Sequence, residues 1–166
     1  MTARAANGLG FLACAALLAY AYYAQYVLHL EPCPLCIFQR AGIFAIGVIF
    51  AVAALHDPAA WGRRVYAGLV ALAAFATICV AVRQLYIQSQ PPGSIAACGA
   101  SLDFMLKVFP LTDVLVKVLT GSGECAKVTW RFLGLAMPGW VLIAALGLAA
   151  HGLWANLTRR PPVLRF

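Results

Sequence analysis

Two of the six cysteines in this 166-residue chain are spaced as Cys33-Pro34-Leu35-Cys36, and two more, Cys98 and Cys125, lie in a polar stretch further along. A CxxC serves redox exchange, metal binding or a structural bridge, so its surroundings decide among them. Pro32 and Pro34 bracket Cys33, and a proline at the position of Pro34 suits the first turn of a helix, where its missing N–H costs nothing. Cys36 then falls in an opening helical turn, where unpaired N–H groups and the positive end of the helix dipole favour a thiolate. Arg40 follows four residues later on the same helical face. An interfacial arginine can simply snorkel to lipid headgroups. Beside a CxxC, its guanidinium can also stabilise a thiolate, or an electron acceptor that becomes an oxyanion. Cys14 and Cys79 lie inside apolar runs and read as small hydrophobes packed among helices.

The elements that hold these residues follow from composition. The chain is 64% hydrophobic and only 10% charged, far from the roughly 25% charged residues of a soluble domain. That excludes an ordinary soluble protein, and it makes the location of the charges more informative than their net value of +7. The apolar runs recur along the whole sequence, unlike a single N-terminal leader followed by globular sequence. Four stretches have the roughly 20 apolar residues that cross a bilayer. They run from about 8 to 28, 37 to 55, 65 to 87 and 137 to 156, with Tyr20, Tyr22, Tyr23, Tyr26, Trp140 and Trp154 as interfacial aromatic residues. Arg83 and Gln84 interrupt the third run and are read as marking its interfacial end.

His56 to Arg64 is too short to be more than a turn, so the second and third spans form an antiparallel hairpin. That turn carries Arg63 and Arg64, the N-terminal segment Arg4, and the C-terminal segment Arg159, Arg160 and Arg165. With four spans these segments share one side, which the positive-inside rule makes the cytoplasm. The loops at about 29–36 and 88–136 then face the opposite compartment. Lys107, Lys117, Lys127 and Arg131 run against the rule, but long segments translocate largely regardless of charge. All four loop cysteines thus face an oxidising space, the periplasm of a Gram-negative cell. A dithiol at the membrane boundary, with no soluble-cofactor motif, points to a lipid-soluble quinone as acceptor.

The second loop carries Phe104-Met105-Leu106, Val108-Phe109 and Val114-Leu115-Val116, interrupted by Lys107, Asp113 and Lys117. This pattern predicts a short amphipathic helix on the membrane surface rather than a fifth span. Gly121-Ser122-Gly123 frees the chain before Cys125. Two readings of that pair stay open: a structural bridge, or a mobile one in which Cys125 reaches Cys33.

Pro32-Cys33-Pro34-Leu35-Cys36-Ile37-Phe38-Gln39-Arg40, together with Cys98, Gly123-Glu124-Cys125 and the stretch from Trp130 to Trp140, resembles the disulfide bond formation protein B (DsbB) family. The resemblance implies an all-α membrane protein, a four-transmembrane-helix bundle with two periplasmic loops, forming one integral membrane domain over 1–166 in the inner membrane with both termini cytoplasmic. It implies a quinone-dependent thiol–disulfide oxidoreductase that supports disulfide formation in exported proteins. By the same resemblance, Cys98 takes the mixed disulfide with a reduced periplasmic DsbA-like thiol oxidase, the released Cys125 attacks Cys33, and Cys36 leaves as the thiolate that meets the quinone beside Arg40. Some members carry a histidine near the periplasmic end of the third span, where this chain reads Tyr86-Ile87-Gln88-Ser89. Gln88 is the candidate replacement at the quinone site, and His29, just before the CxxC, is a second candidate.

Three other readings compete. A vitamin K epoxide reductase type of enzyme also uses four helices and two cysteine pairs, but its quinone-facing CxxC lies in a late span. A Cys₄ zinc site fits poorly with unequal pairs in an oxidising space. A scaffold or transporter component with structural bridges would be expected to carry ionisable groups in mid-span. Ubiquinone is the expected quinone and menaquinone the alternative, since no motif specifies the ring.

Overall fold

The computed structural model describes residues 2–91, 107, 108, 110, 113, 123–126, 128 and 130–158. Four long helices are joined by one short connection at one end and by the two loops at the other: α1 (Ala3–Tyr26), α2 (Pro34–His56), α3 (Ala60–Gln88) and, after the second loop, α5 (Met137–Leu157). Between α3 and α5 lie a four-residue helix, α4 (Gly123–Ala126), and a two-stranded antiparallel hairpin, β1 (Arg131–Phe132) and β2 (Leu135–Ala136). All four long helices are long and apolar enough to cross a membrane. Cys98 and most of the expected amphipathic surface helix lie outside the described residues.

Local chemistry sets the helix ends. The hydroxyl of Thr2 caps α1 by accepting the Ala5 N–H at 3.2 Å, so the helix begins at Ala3, ahead of the apolar run expected from about 8. Pro34 opens α2, and the sulfur of Cys33 acts as its N-cap by accepting the Cys36 N–H at 3.4 Å. Asp57, in left-handed backbone with φ 38°, ends α2, and α3 starts at Ala60, well before the apolar run from about 65. The early start of α3 brings Arg63 into a helix, where it is buried.

The helices form a ring in which α1 packs on α2, α2 on α3 and α3 on α5, while α1 and α5 meet over a shorter stretch. Cys14, Ile43, Ile46, Phe50, Val70, Ala74 and Leu148 make the central cluster. Small residues allow close approach, as in membrane helix packing generally: a Cβ on Gly42 of α2 would stand 2.1 Å from the Thr77 hydroxyl of α3. At the end away from the CxxC, the buried Asn7 and Asn156 exchange side-chain hydrogen bonds of 3.1 and 2.9 Å between α1 and α5. Cys14 packs inside the bundle as expected. Cys79 instead lies on its outer surface, among faces that also expose Leu72, Phe75 and Val82.

Candidate active site

At the other end of the bundle α2 presents its first turn. Sγ of Cys33 and Sγ of Cys36 lie 3.0 Å apart. The cap geometry of Cys33 fixes this proximity, since the residue that caps the helix and the residue three later share the opening turn. α4 sits against α3 and α2 and buries Cys125 with Leu35 and Ile87, packed on Cys33 and Phe38. Cys33 therefore stands between two sulfurs, hydrogen-bonded to Cys125 and to Cys36. The sulfur of Cys125, then that of Cys36, and burial behind them push the Cys33 thiol well above its ordinary range. Three of the four cysteines expected to carry the chemistry are thus brought together.

A fourth group joins them from α3. Nε2 of Gln84 donates to Sγ of Cys33 and to Sγ of Cys36, each at 3.3 Å, and its Oε1 accepts from Nε2 of Gln39 at 2.7 Å. Both glutamines are buried, with 2% and 3% of their surfaces exposed. Sequence reasoning grouped Gln84 with Arg83 as the end of a span and missed this role. The two neighbours part company: Arg83 stands 5.4 Å over the Tyr86 ring, while Gln84 turns inward. The available signal was a neutral amide inside an apolar helix, which inside a membrane marks function more often than accident.

Cys36 also borders a cavity of about 590 Å³ between α1, α2, α5 and the hairpin. Leu17, Leu18, Ile43, Val141 and Ala144 supply aliphatic walls, and Gln39 and Arg40 are among its few polar members. An aromatic wall comes from the hairpin and its neighbours. Trp130 stacks on Phe132 with ring centroids 6.0 Å apart, Phe132 meets Trp140 at 5.8 Å, and Tyr20 meets Trp130 edge-on at 6.3 Å. Leu133 (φ 49°) and Gly134 (φ 82°) make the two-residue, left-handed turn that reverses the hairpin. The Trp140 indole N–H ties α5 to it by donating to the Phe132 carbonyl at 3.2 Å.

Arg40 shares this cavity with Cys36, but its guanidinium reaches across to α1: it donates to Oε1 of Gln25 and, at 3.1 Å, to the Ala21 carbonyl, and it lies 5.5 Å from the Tyr22 ring centroid. Gln88 does not line the cavity, and its buried Oε1 has no hydrogen-bond partner among the described residues. The amide that reaches the sulfurs belongs to Gln84, one turn earlier. His29 is exposed, with left-handed backbone (φ 52°), in the reversal after α1 where the Leu30 N–H donates to the Ala24 carbonyl at 3.1 Å.

Four membrane-crossing helices, a CxxC at a helix start and a third sulfur packed on it define a multi-pass membrane thiol–disulfide oxidoreductase. The family model described as "Disulfide bond formation protein DsbB" matches residues 3–155. Disulfide bond formation protein B of Marinobacter nauticus is 48% identical over 162 residues, covering 98% of this chain and 96% of its own. The proteins of that name from Nitrosococcus oceani and Hahella chejuensis are 51% identical over 146 residues and 46% over 162; the first match covers 88% of this chain and 86% of the relative, the second 98% and 97%. The chain belongs to the disulfide bond formation protein B family.

Proposed function

We propose that this protein reoxidises a periplasmic DsbA-like thiol oxidase and passes the electrons through Cys98–Cys125 and Cys33–Cys36 to a quinone, ubiquinone first and menaquinone as the alternative. It does so in the inner membrane, with both termini cytoplasmic and the cysteines periplasmic. One observation carries the reading: Cys33 touches Cys125 on one side and Cys36 on the other, and Cys36 borders an apolar cavity.

The cavity residues fit such a ring. Ligand pockets typically enclose about 300–1,000 Å³ with apolar walls and a few polar groups that orient the ligand, and here aliphatic and aromatic walls surround Gln39, Arg40 and the Cys36 sulfur. A quinone supplies a two-electron acceptor that is soluble in the bilayer. The chain's own residues do the rest. Cys98 receives the partner's thiolate, and Cys125 leaves. Cys125 then attacks Cys33, a bond forms between their sulfurs, the Cys33–Cys36 bond breaks, and Cys36 departs with the electron pair. The first turn of α2 holds the Cys36 thiolate at a helix N-terminus. Arg40, anchored on α1, offers its positive charge to oxygens in the cavity, and the aromatic wall keeps water away. Gln88 and His29 do not line the cavity; in this reading Gln88 acts on the quinone site as a hydrogen-bond donor and His29 as a proton carrier.

Purified protein in liposomes, given reduced DsbA-like protein and ubiquinone, tests the reading through quinone absorbance and partner thiol counts. One quinone is expected to disappear for each partner disulfide formed. Partner oxidation without quinone consumption would overturn it.

A further inference from the structure

The CxxC meets a carboxamide relay that no part of the exchange scheme accounts for. Gln84 reaches both sulfurs from α3, and Gln39, on the helix that carries the CxxC, holds the far end of the same amide at 2.7 Å. The Gln39 N–H occupies the Gln84 carbonyl oxygen and so fixes which end of that amide faces the sulfurs: the NH₂. A buried polar group in such a place costs stability unless it is satisfied, and here the glutamines and the cysteines satisfy one another.

We infer that Gln84 is a catalytic hydrogen-bond donor for the cysteine pair, stabilising the Cys36 thiolate released when Cys125 attacks Cys33, and that Gln39 is the positioning residue that aims it. The inference rests on the proposed exchange order. In that exchange the Cys125–Cys33 bond forms, the Cys33–Cys36 bond breaks and the electron pair leaves on Cys36. The amide transfers no proton; in the reduced pair its N–H already donates to the Cys36 sulfur at 3.3 Å, the atom that carries the new charge. Preorganised donors of this kind are effective because they do not have to reorient as charge develops. The same amide also suits the protonated state, since the Cys36 thiol can donate to Oε1 of Gln84 at 3.6 Å. Gln84 thus serves both the thiol and the thiolate without moving.

The distinction from Arg40 is spatial. The guanidinium is turned toward α1 by Gln25 and Ala21, on the cavity side of Cys36, while Gln84 approaches from α3. Arg40 is placed for charge in the cavity, and Gln84 for charge on the sulfur.

The test uses the full chain with Cys36 as its only cysteine, and reads the rate of iodoacetamide alkylation against pH. Replacing Gln84 by Leu is expected to move the midpoint upward and lower the rate at neutral pH by about tenfold, the scale of one hydrogen bond to a charged group. Gln84→Glu, which keeps the length but replaces the donor with a carboxylate, is expected to move it the same way and serves if the leucine variant does not fold. Gln39→Leu is expected to produce a smaller upward move, because the donor remains but loses its anchor. Midpoints in Gln84→Leu and Gln84→Glu that equal the parent's would overturn the inference. The alkylation needs neither quinone nor partner protein. A shifted midpoint in the single-cysteine chains, beside a wild-type chain that never consumes quinone, would therefore sink the proposed function and leave the Gln84 assignment standing, whereas an unshifted midpoint beside normal quinone consumption by the wild-type chain would sink the assignment alone.

Discussion

Oε1 of Gln25, on α1, accepts a hydrogen bond from the guanidinium of Arg40, on α2. This cross-helix bond, with the Ala21 carbonyl beside it, fixes the cation at the cavity wall rather than leaving it free to snorkel. Gln25→Leu is expected to raise the KM for quinone by about tenfold, the scale of a hydrogen bond to a charged group, with the disulfides still able to form. Arg40→Lys is expected to fail as a replacement, since an ammonium lacks the planar fork that meets two acceptors on α1 at once. Steady-state kinetics with varied quinone check both. An unchanged KM in Gln25→Leu would mean that the anchor has no part in quinone use.

The two sulfurs of the CxxC differ in their surroundings, and their reactivities should differ too. The Cys33 thiol is pushed up by the sulfurs of Cys125 and Cys36 and by burial, so it stays protonated through neutral pH. Cys36 sits one turn into the helix and borders the cavity. In the fully reduced protein, mass spectrometry after brief alkylation at neutral pH should find Cys36 modified ahead of Cys33. The reverse order would contradict the assigned polarity of the pair.

Gly134 holds the turn of the hairpin at φ 82°, a backbone conformation that costs a residue with a Cβ about 1–2 kcal/mol. Gly134→Val is expected to loosen the strands that carry Phe132 and, with it, the aromatic wall of the cavity. Quinone affinity should fall severalfold, while the partner still forms its mixed disulfide. Titration of quinone against Trp fluorescence would measure the loss.

At the far end, the reciprocal amide pair Asn7–Asn156 links α1 to α5. Asn7→Leu is expected to lower stability by about 1 kcal/mol, the upper part of what such bonds contribute between membrane helices. Adding Asn156→Leu should cost less than a second independent loss, because the orphaned amide is removed with it. Unfolding in mixed micelles would show this, with thiol exchange at the opposite end unchanged.

Much of this was legible in the sequence because hydrophobic length and cysteine spacing are strong local signals. Four apolar runs gave four helices, and Pro34 announced the helix start that places Cys36 in its first turn. Contacts between distant segments were not legible. Gln84 shares a run with Arg83, and only the packing of α3 on α2 turns one toward the sulfurs and the other toward Tyr86. Gln25 stands as a single strongly polar residue in its apolar run, and only the packing of α1 on α2 sets it beside Arg40. Likewise, the aromatic stretch from Trp130 to Trp140 carried a family resemblance but no geometry, because its role depends on a two-residue turn and on Tyr20 arriving from α1.

The central claim is that Cys33 hands the exchange from Cys125 to Cys36. Oxidised protein mixed with reduced DsbA-like partner in the absence of quinone, then acid-quenched, alkylated and mapped by mass spectrometry, tests it most directly. The expected intermediate has the partner bonded to Cys98, Cys125 bonded to Cys33, and Cys36 as the one alkylated thiol of these four, beside the free Cys14 and Cys79. A partner–Cys98 complex in which Cys125 is alkylated and Cys33 remains bonded to Cys36 would contradict it.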